Sequence, residues 1–558
     1  MYKDSNMESS QLNTPDTPYT RISTFVTDPP EGTPSFSISG QDKSFKHQYA
    51  NIYFMRLHAL RRFVEQKAKR RWAELDGNPV FVPRVLDVEK SQLSYVIGTV
   101  YMDMPLKPNV LDDIARDHSI PSPPPRQKYF SAEDDIMLED ESGRIRLVGD
   151  RLKSARLVTG VIIGALGIET NSGDFEVVDI CFPGMAPQQS SAPLSAEGGD
   201  VSMEADASST IDQDEWIAIV SGLDVGAPSW ADGQLQLLAE YLSGEAGGSE
   251  EQLGASRISR LIIAGNSLAS LMTETEETEK DRKSRRYGQE TSTFSPHPIH
   301  NLTAYLTDIA RSMPIHLLPG PSDPTGTLLP QQPLPRAMFG GASQYSTFSC
   351  ETNPTYLHLA SGTRGEERCE EESPSTGKPS TSKSKSTPKT NGKTKPSIST
   401  SHSSGPSHTS NSLPTYTRTL LVHSGQPLHD LLRYLPSPPV SPLSIAEATL
   451  KWRHLAPTAP DTLWCHPFLH HEPFVLTETP DLYIVGNMDK FKTKLVVEDE
   501  DGDGSERSEG GRKRCRVVLV PKFSESGVVV LVNLRTLKVR TVCLAVQGMS
   551  AGGGEKAL

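Results

Sequence analysis

A chain of 558 residues with 35% hydrophobic content is long enough for several domains but too poor in apolar side chains to bury all of itself, so part of it stays solvated. Its formal net charge of -13 argues against a chain that coats nucleic acid by itself, because such domains turn a basic face to the phosphates. The six cysteines, with no CxxC pair among them, suggest neither a zinc site nor a disulfide framework and fit a reducing compartment.

Residues 1–43 are rich in Ser, Thr, Pro and Asp and are expected to form a disordered tail. Broken by Pro15, Pro18, Pro29 and Pro30, this start resembles neither a signal nor a transit peptide, which predicts a protein that stays inside the cell. The longest apolar stretch, Leu157 to Ile168, carries three glycines and is far short of the ~20 residues that cross a bilayer, so no membrane span is expected. In residues 44–90, Tyr49, Ile52, Tyr53, Met55, Leu57, Leu60 and Phe63 recur at helical spacing with cations between them, which predicts an amphipathic helix reaching about Leu75.

Residues 91–185 turn to period two. Strands are predicted at Leu93–Tyr101, Asp135–Glu139, Ile145–Val148, Leu157–Ile168 and Phe175–Phe182, with turn glycines at Gly143 and Gly173 and a short helix near Val110–Asp117. Five such strands suggest a small OB-type barrel, a fold that serves nucleic-acid binding or plain protein docking. Residues 186–213 read as a linker. From 214 to 545 strands and helices alternate: strands at Trp216–Val220, Arg260–Ile263 and Ile315–Leu318, helices at Gly233–Leu242 and Asn301–Arg311, an α/β order. A helix near Ser444–His454 and strands at Leu482–Val485, Val517–Val520, Val528–Asn533 and Lys538–Leu544 complete a second sheet in this reading. Two insertions are expected to be disordered, a Lys/Ser/Thr/Pro tract at 363–414 and an acidic-then-basic stretch at 497–513, as is the end at 546–558.

The order of the α/β part resembles that of calcineurin-like metallophosphoesterases. That resemblance implies two divalent ions held at strand ends by motifs of the form D-x-H, G-D, G-N-H-D and G-H-x-H, activating water for attack on phosphorus. Each motif is degenerate here. Ser221 and Leu223 stand where the aspartate and histidine of D-x-H would be, with Asp224 out of register, and Asn266 stands where G-D would place the bridging carboxylate. Pro321, Ser322 and Asp323 replace the end of G-N-H-D, and Asn487 and Asp489 replace the histidines of G-H-x-H. His454, His466, His470 and His471 are the remaining metal candidates, and isolated histidines are more often packed or surface residues than ligands. There is no G-x-S-x-G elbow, and Gly98, Gly160 and Gly164 form no phosphate-cradling loop. No catalytic residue, metal or cofactor is expected.

Longer blocks carry a closer resemblance. Phe45-Lys-His-Gln-Tyr-Ala-Asn-Ile-Tyr53, Val96-Ile-Gly-Thr-Val100, Pro124-Pro-Arg-Gln-Lys-Tyr129, Leu329-Pro-Gln-Gln-Pro-Leu334, Thr352-Asn-Pro354 and Ala456-Pro-Thr-Ala-Pro-Asp-Thr462 resemble the second, B-type subunit of eukaryotic DNA polymerase delta. The resemblance implies an OB-type barrel joined to an inactive phosphoesterase domain in the form of a two-sheet α/β sandwich. It also implies a nuclear, non-catalytic scaffold in replication and repair. The scaffold would bridge the cysteine-rich C-terminal domain of the catalytic subunit to a third subunit and, through it, to the sliding clamp. Sharing with the translesion polymerase zeta comes with the family, DNA contact would be weak or indirect, and no membrane is involved. Interface hot spots centre on aromatic and Arg side chains, which makes Tyr345, Trp452, Arg453, Trp464 and Phe468 the docking candidates. Two other readings are a metal-dependent phosphodiesterase or 3'-5' nuclease, whose ligands are missing, and a single-strand DNA binder acting through the barrel, for which Tyr95 and Tyr101 are thin support.

Overall fold

Among the described residues the first element is a short strand, β1 (Thr24–Val26), and the next is the long helix α1 (Ala50–Trp72). Ile52, Leu57, Leu60, Val64, Ala68 and Trp72 form one buried stripe along α1, and Lys69, Arg70 and Arg71 in its last turn complement the negative end of the helix dipole. In this computed structural model of the protein, residues 19–40, 49–108, 126–188, 215–227, 232–270, 297–361, 416–498 and 512–545 are described. The helix expected near Val110–Asp117, the Lys-rich insertion, most of the 186–213 linker and the stretch 546–558 lie outside them.

The stripe of α1 packs on a barrel built from β2 (Val80–Phe81), β3 (Leu93–Asp103), β4 (Asp135–Glu139), β5 (Arg144–Val148), β6 (Ile162–Glu169) and β7 (Phe175–Cys181), with a short helix α2 (Asp150–Ser154) after β5. The sheet runs β2-β3-β4-β5-β7-β6 and closes because β3 also pairs with β6, from Leu93 opposite Ile168 to Thr99 opposite Ile162. Closure leaves no free edge on those two strands. The strand expected from Leu157 starts instead at Ile162, because Gly160 adopts φ +91° in a turn whose N–H and neighbouring Val161 carbonyl both bond Val100.

Beyond residue 215 come β8 (Trp216–Val220), helices α3 (Asp232–Ser243) and α4 (Ser249–Ser256), β9 (Ile258–Ala264), α5 (His297–Ala310), β10 (Ile315–Leu318) and β11 (Phe348–Cys350). Then follow β12 (Thr355–Ser361), β13 (Thr417–His423), helices α6 (Gln426–Tyr434) and α7 (Pro442–Trp452), β14 (Leu482–Met488) and β15 (Lys492–Glu498). The last elements are β16 (Lys513–Pro521), a helical turn α8 (Phe523–Ser526), β17 (Val528–Asn533) and β18 (Val539–Cys543).

These strands make two sheets, β11-β10-β9-β8-β17-β18 and β1-β12-β13-β14-β16-β15. Alternation along each strand sets the layers. Ile217 and Ile219 of β8 meet Ile262, Leu420, Val422, Ile484 and Val518 between the sheets, while Ala218 and Val220 face Leu235, Leu238, Leu302 and Leu306 of the covering helices. Strands buried on both faces favour apolar residues at consecutive positions, which is why β8 reads Trp-Ile-Ala-Ile-Val, and the polar residues in its neighbours, Arg260 of β9 and His316 of β10, are buried and hydrogen-bonded to each other.

Three expectations are corrected. Residues 19–40 of the presumed tail are part of the fold, because β1 pairs antiparallel with β12 and Phe36 is buried in the core. Strands β17 and β18 do not extend the second sheet: β17 pairs antiparallel with β8 of the first, Val530 opposite Ile219. The acidic insertion is shorter than 497–513, since Val497 and Glu498 pair with Arg514 and Lys513 in the β15–β16 ladder.

Candidate functional site

The C-terminal ends of β8, β9, β10, β13 and β14 converge where the two sheets meet. Glycine permits the approach: a Cβ on Gly265 (φ +86°) would lie 2.3 Å from Ser424 Cβ, and one on Gly486 would lie 2.3 Å from the Ala264 carbonyl. Buried Ser221 aims its Oγ at the Val520 and Pro521 carbonyls, 3.3 and 3.2 Å away, and accepts the Asn487 N–H at 2.9 Å. Asn487, held at φ 56°, donates from Nδ2 to the Ser424 carbonyl at 2.8 Å and lies 3.4 Å from the Ala264 carbonyl. One carboxamide therefore stitches the two sheets together.

Asn266, at φ 55°, accepts the Ser322 N–H at 3.3 Å, and Ser322 Oγ donates to the Leu268 carbonyl at 2.7 Å. Asp323 is buried and accepts the N–H groups of Gly320 and Leu268 at 2.8 Å each and of Ser267 at 3.3 Å. Burial pushes its carboxyl up to about 6, with those backbone donors pulling the other way. Both oxygens are thus committed to the turn. Leu223 lies in the core under the helices, while Pro321 and Asp489 are exposed. So Ser221, Asn266, Ser322, Asp323 and Asn487 come together, and the other three positions do not.

Alongside lies a polar knot not anticipated from the sequence. Asn353 Nδ2 is within 2.6–2.7 Å of Gln331 Oε1, Ser424 Oγ and Gln426 Oε1, and Asn353 Oδ1 accepts the Ser424 N–H at 2.9 Å. Buried His423 accepts the Gly425 N–H on Nδ1 at 3.0 Å and meets the Tyr483 hydroxyl through Nε2 at 3.1 Å. Burial pushes it down to about 3, so it is neutral. The side chains of this knot are amides, hydroxyls and one imidazole with both nitrogens hydrogen-bonded. Among the described residues no group of three or more His, Cys, Asp or Glu side chains could hold a metal ion, and a two-metal centre does not fit here.

A second cluster joins α1, the barrel and the loop after α7. Arg56, wholly buried on the apolar stripe of α1, pairs with Glu472 at 2.5 Å and donates to the carbonyls of Gly160 (3.2 Å), Pro457 (2.6 Å) and Ala459 (2.8 Å). Glu472 also meets His454 Nε2 at 2.8 Å, and His454 accepts the Ala456 N–H on Nδ1. Despite burial, the Arg56 charge and His454 hold Glu472 down to about 2, whereas burial pushes His454 down to about 4 and leaves it neutral. His454 is thus a core residue rather than a ligand. The sequence signal for this clamp was a cation in register with Ile52, Leu60 and Val64.

Of the docking candidates, Trp452, Arg453 and Phe468 are interior residues. Trp452 is in the core, Arg453 stacks on Phe63 at 4.1 Å and donates to the Met185 carbonyl, and Phe468 sits in a ring cluster with His466 and Phe474. A tryptophan or arginine ending an apolar helix is as readily buried as exposed, and here α7 turns them inward. Tyr345 is half-buried against the helical layer, and His470 and His471 are exposed. Trp464 is 59% exposed, and Leu469, Phe54 on neighbouring α1 and Tyr49 just before that helix are also exposed, with Asn51 Nδ2 tying α1 to the Leu469 carbonyl at 3.0 Å.

Residues 48–180 match the family model described as DNA polymerase delta subunit OB-fold domain, and residues 217–363 and 389–493 match that of the B-type subunit of DNA polymerases alpha and epsilon. The DNA polymerase delta small subunit of Arabidopsis thaliana is 32% identical over 500 residues, 90% of this chain and 92% of that protein. That of Oryza sativa subsp. japonica is 31% identical across 91% of this chain and 95% of its own length, and DNA polymerase delta subunit 2 of Drosophila melanogaster is 31% identical across 92% and 96%. With an OB-fold barrel, a following domain of the B type and similarity running nearly end to end, the chain belongs to the family of DNA polymerase delta small subunits, accessory subunits of that polymerase.

Proposed function

We propose that this chain is a non-catalytic scaffold that bridges the C-terminal domain of the polymerase delta catalytic subunit to a third, clamp-contacting subunit in the nucleus, and that polymerase zeta shares it. In this reading the two-sheet unit is a calcineurin-like phosphoesterase fold whose site has been given over to structure. The observation that carries it is the suture at the strand ends. Asn487 bonds across both sheets where ions would need room, an amide at Asn266 stands where a bridging carboxylate is required, and Asp323 spends its oxygens on backbone N–H groups. An uncharged amide is a poor bridge between two cations.

The exposed group of Trp464, Leu469, Tyr49 and Phe54 supports docking at the junction of α1 and the loop after α7, since a large aromatic rimmed by polar residues is the usual centre of a protein interface. The test is light scattering on size-exclusion peaks after co-expression with the C-terminal domain of the catalytic subunit. A one-to-one complex is expected, and a folded chain eluting apart from that domain refutes the bridge. Manganese-dependent phosphodiesterase turnover lost on Asp323→Ala, or salt-sensitive binding of single-stranded DNA lost on barrel substitutions, favours the other two readings instead.

A further inference from the structure

Residues 19–40 cross the two-sheet unit as a strap whose ends are held tightly and whose middle is held lightly. At one end Arg21 donates to the carbonyls of Ala255, Ile258 and Leu242 at 2.6–2.8 Å, and buried Arg260 grips Thr24 through its hydroxyl and carbonyl at 2.8 and 2.6 Å. At the other end Phe36 is buried, stacked on Tyr356 with centroids 5.6 Å apart, and Gln332 brackets it with bonds to the Phe36 carbonyl and the Ile38 N–H. Among the described residues, stretch 28–35 is tied to the body by two hydrogen bonds, Thr33 Oγ1 to Glu478 Oε1 at 3.3 Å and Thr477 Oγ1 to the Gly32 carbonyl at 3.4 Å. Both are long for hydroxyl donors, and segments so weakly held open locally without global unfolding.

Pro34 follows Thr33, and a Thr-Pro dipeptide is the acceptor that proline-directed protein kinases take. We propose that Thr33 is a phosphorylation site for a kinase of that class and that its modification lifts the middle of the strap, with Phe36, off the body. The step forms a bond between Thr33 Oγ1 and the γ-phosphorus of ATP, breaks the bridging β–γ P–O bond to release ADP, and passes the hydroxyl proton to the kinase's base.

The consequence is electrostatic. The hydroxyl that donates to Glu478 is replaced by a group carrying about -1.5 to -2 charges and no donor to spare. Glu478 is buried, and its carboxyl is raised by burial and by the Asp481 charge, with the Thr33 hydroxyl bond as the influence that lowers it. Phosphorylation removes that influence and sets two further negative charges beside it. Phe36 lies three residues along, so displacement of Thr33 pulls its ring from between Tyr356 and Phe474, whose centroids lie 5.6 and 6.2 Å away.

The full chain is incubated with a purified proline-directed kinase and ATP, modified sites are mapped by mass spectrometry, and amide exchange is compared before and after. Thr33 should be modified, and exchange across residues 28–38 should rise at least about tenfold while that of β3 stays unchanged. Thr33→Ala should abolish the rise and Glu478→Gln should shrink it. A synthetic peptide spanning residues 28–38 reports kinase competence. The proposal is overturned if that peptide is phosphorylated while Thr33 in the chain is not, or if Thr33 is phosphorylated and exchange across the strap is unaltered.

Discussion

Arg56→Met removes the charge at the centre of the clamp while keeping an unbranched apolar stem of similar length. Four acceptors lose the guanidinium as a donor: the Glu472 carboxylate, which among the described residues keeps only its bond with His454, and the carbonyls of Gly160, Pro457 and Ala459. Breaking a buried pair by removing one partner costs about 3–5 kcal/mol, a large share of the ~5–15 kcal/mol by which a domain is usually stable. The pH dependence changes sign as well. In the native protein Glu472 is held down to about 2, below the ordinary carboxylate range. Its contribution is therefore present above the unfolded-state value and lost as pH falls towards 2. Without Arg56, burial governs, the neutral acid is preferred, and the variant should recover stability as pH is lowered from ~7.5 to ~5.5. Urea midpoints and amide exchange of α1 at the two pH values measure both effects. Arg56→Met/Glu472→Met, which removes both charges, should be closer to the native protein than Arg56→Met alone. A cost below ~1 kcal/mol for Arg56→Met at pH 7.5, or a double variant weaker than the single one, refutes the reasoning.

Gly160→Ala should lower stability by about 2–4 kcal/mol in thermal melts, since a Cβ there would lie 1.9 Å from the Pro457 carbonyl oxygen at a φ of +91°. Asp323 titrates in the opposite sense from Glu472: raised to about 6 by burial, it makes the native protein lose stability as pH climbs from the ordinary carboxylate range through 6. Asp323→Asn should flatten that slope in urea titrations between pH ~4 and ~6. Trp464→Ala should leave the melting temperature unchanged while weakening binding of the catalytic subunit's C-terminal domain by ~2 kcal/mol, roughly 30-fold by calorimetry, because an exposed aromatic contributes little to the free fold.

Local pattern made much of this architecture legible. β8 is a continuous apolar run, β9 and β10 are mostly apolar apart from Ser259, Arg260 and His316, all three lie next to helical stretches, and the barrel strands alternate and turn at glycines, so both parts could be read from short windows. β12, β13 and β15 have weaker local signals. His358 and Arg418 interrupt the apolar rows of the first two, and the edge strand β15 opens Lys-Thr-Lys because one side of it meets water. Membership of β17 in the first sheet is invisible locally, because its apolar run would suit either. At the site, sequence marked the strand ends, but the suture itself needed the fold: Asn353 and Ser424 lie 71 residues apart and bond directly. Arg56 is one of several cations among the apolar positions of α1, and only its register on the buried stripe separates it from Arg61 or Arg62. Trp452 and Trp464, a dozen positions apart, look alike as residues, yet one is buried in the core and the other is exposed.

The pairing of β17 with β8 also sets an order of assembly. Val530 lies opposite Ile219, so about three hundred residues must be synthesised between one strand and its neighbour. Until then the newly made β8 has an open edge beside an apolar run, the kind of surface that invites mispairing. The barrel is under no such delay, because β3 and β6 are both complete by Glu169. During synthesis the barrel can close early while the two-sheet unit waits on its last strands. A chain ending before Val528 would keep every strand-end residue of the suture and still leave β8 without a neighbour on that side.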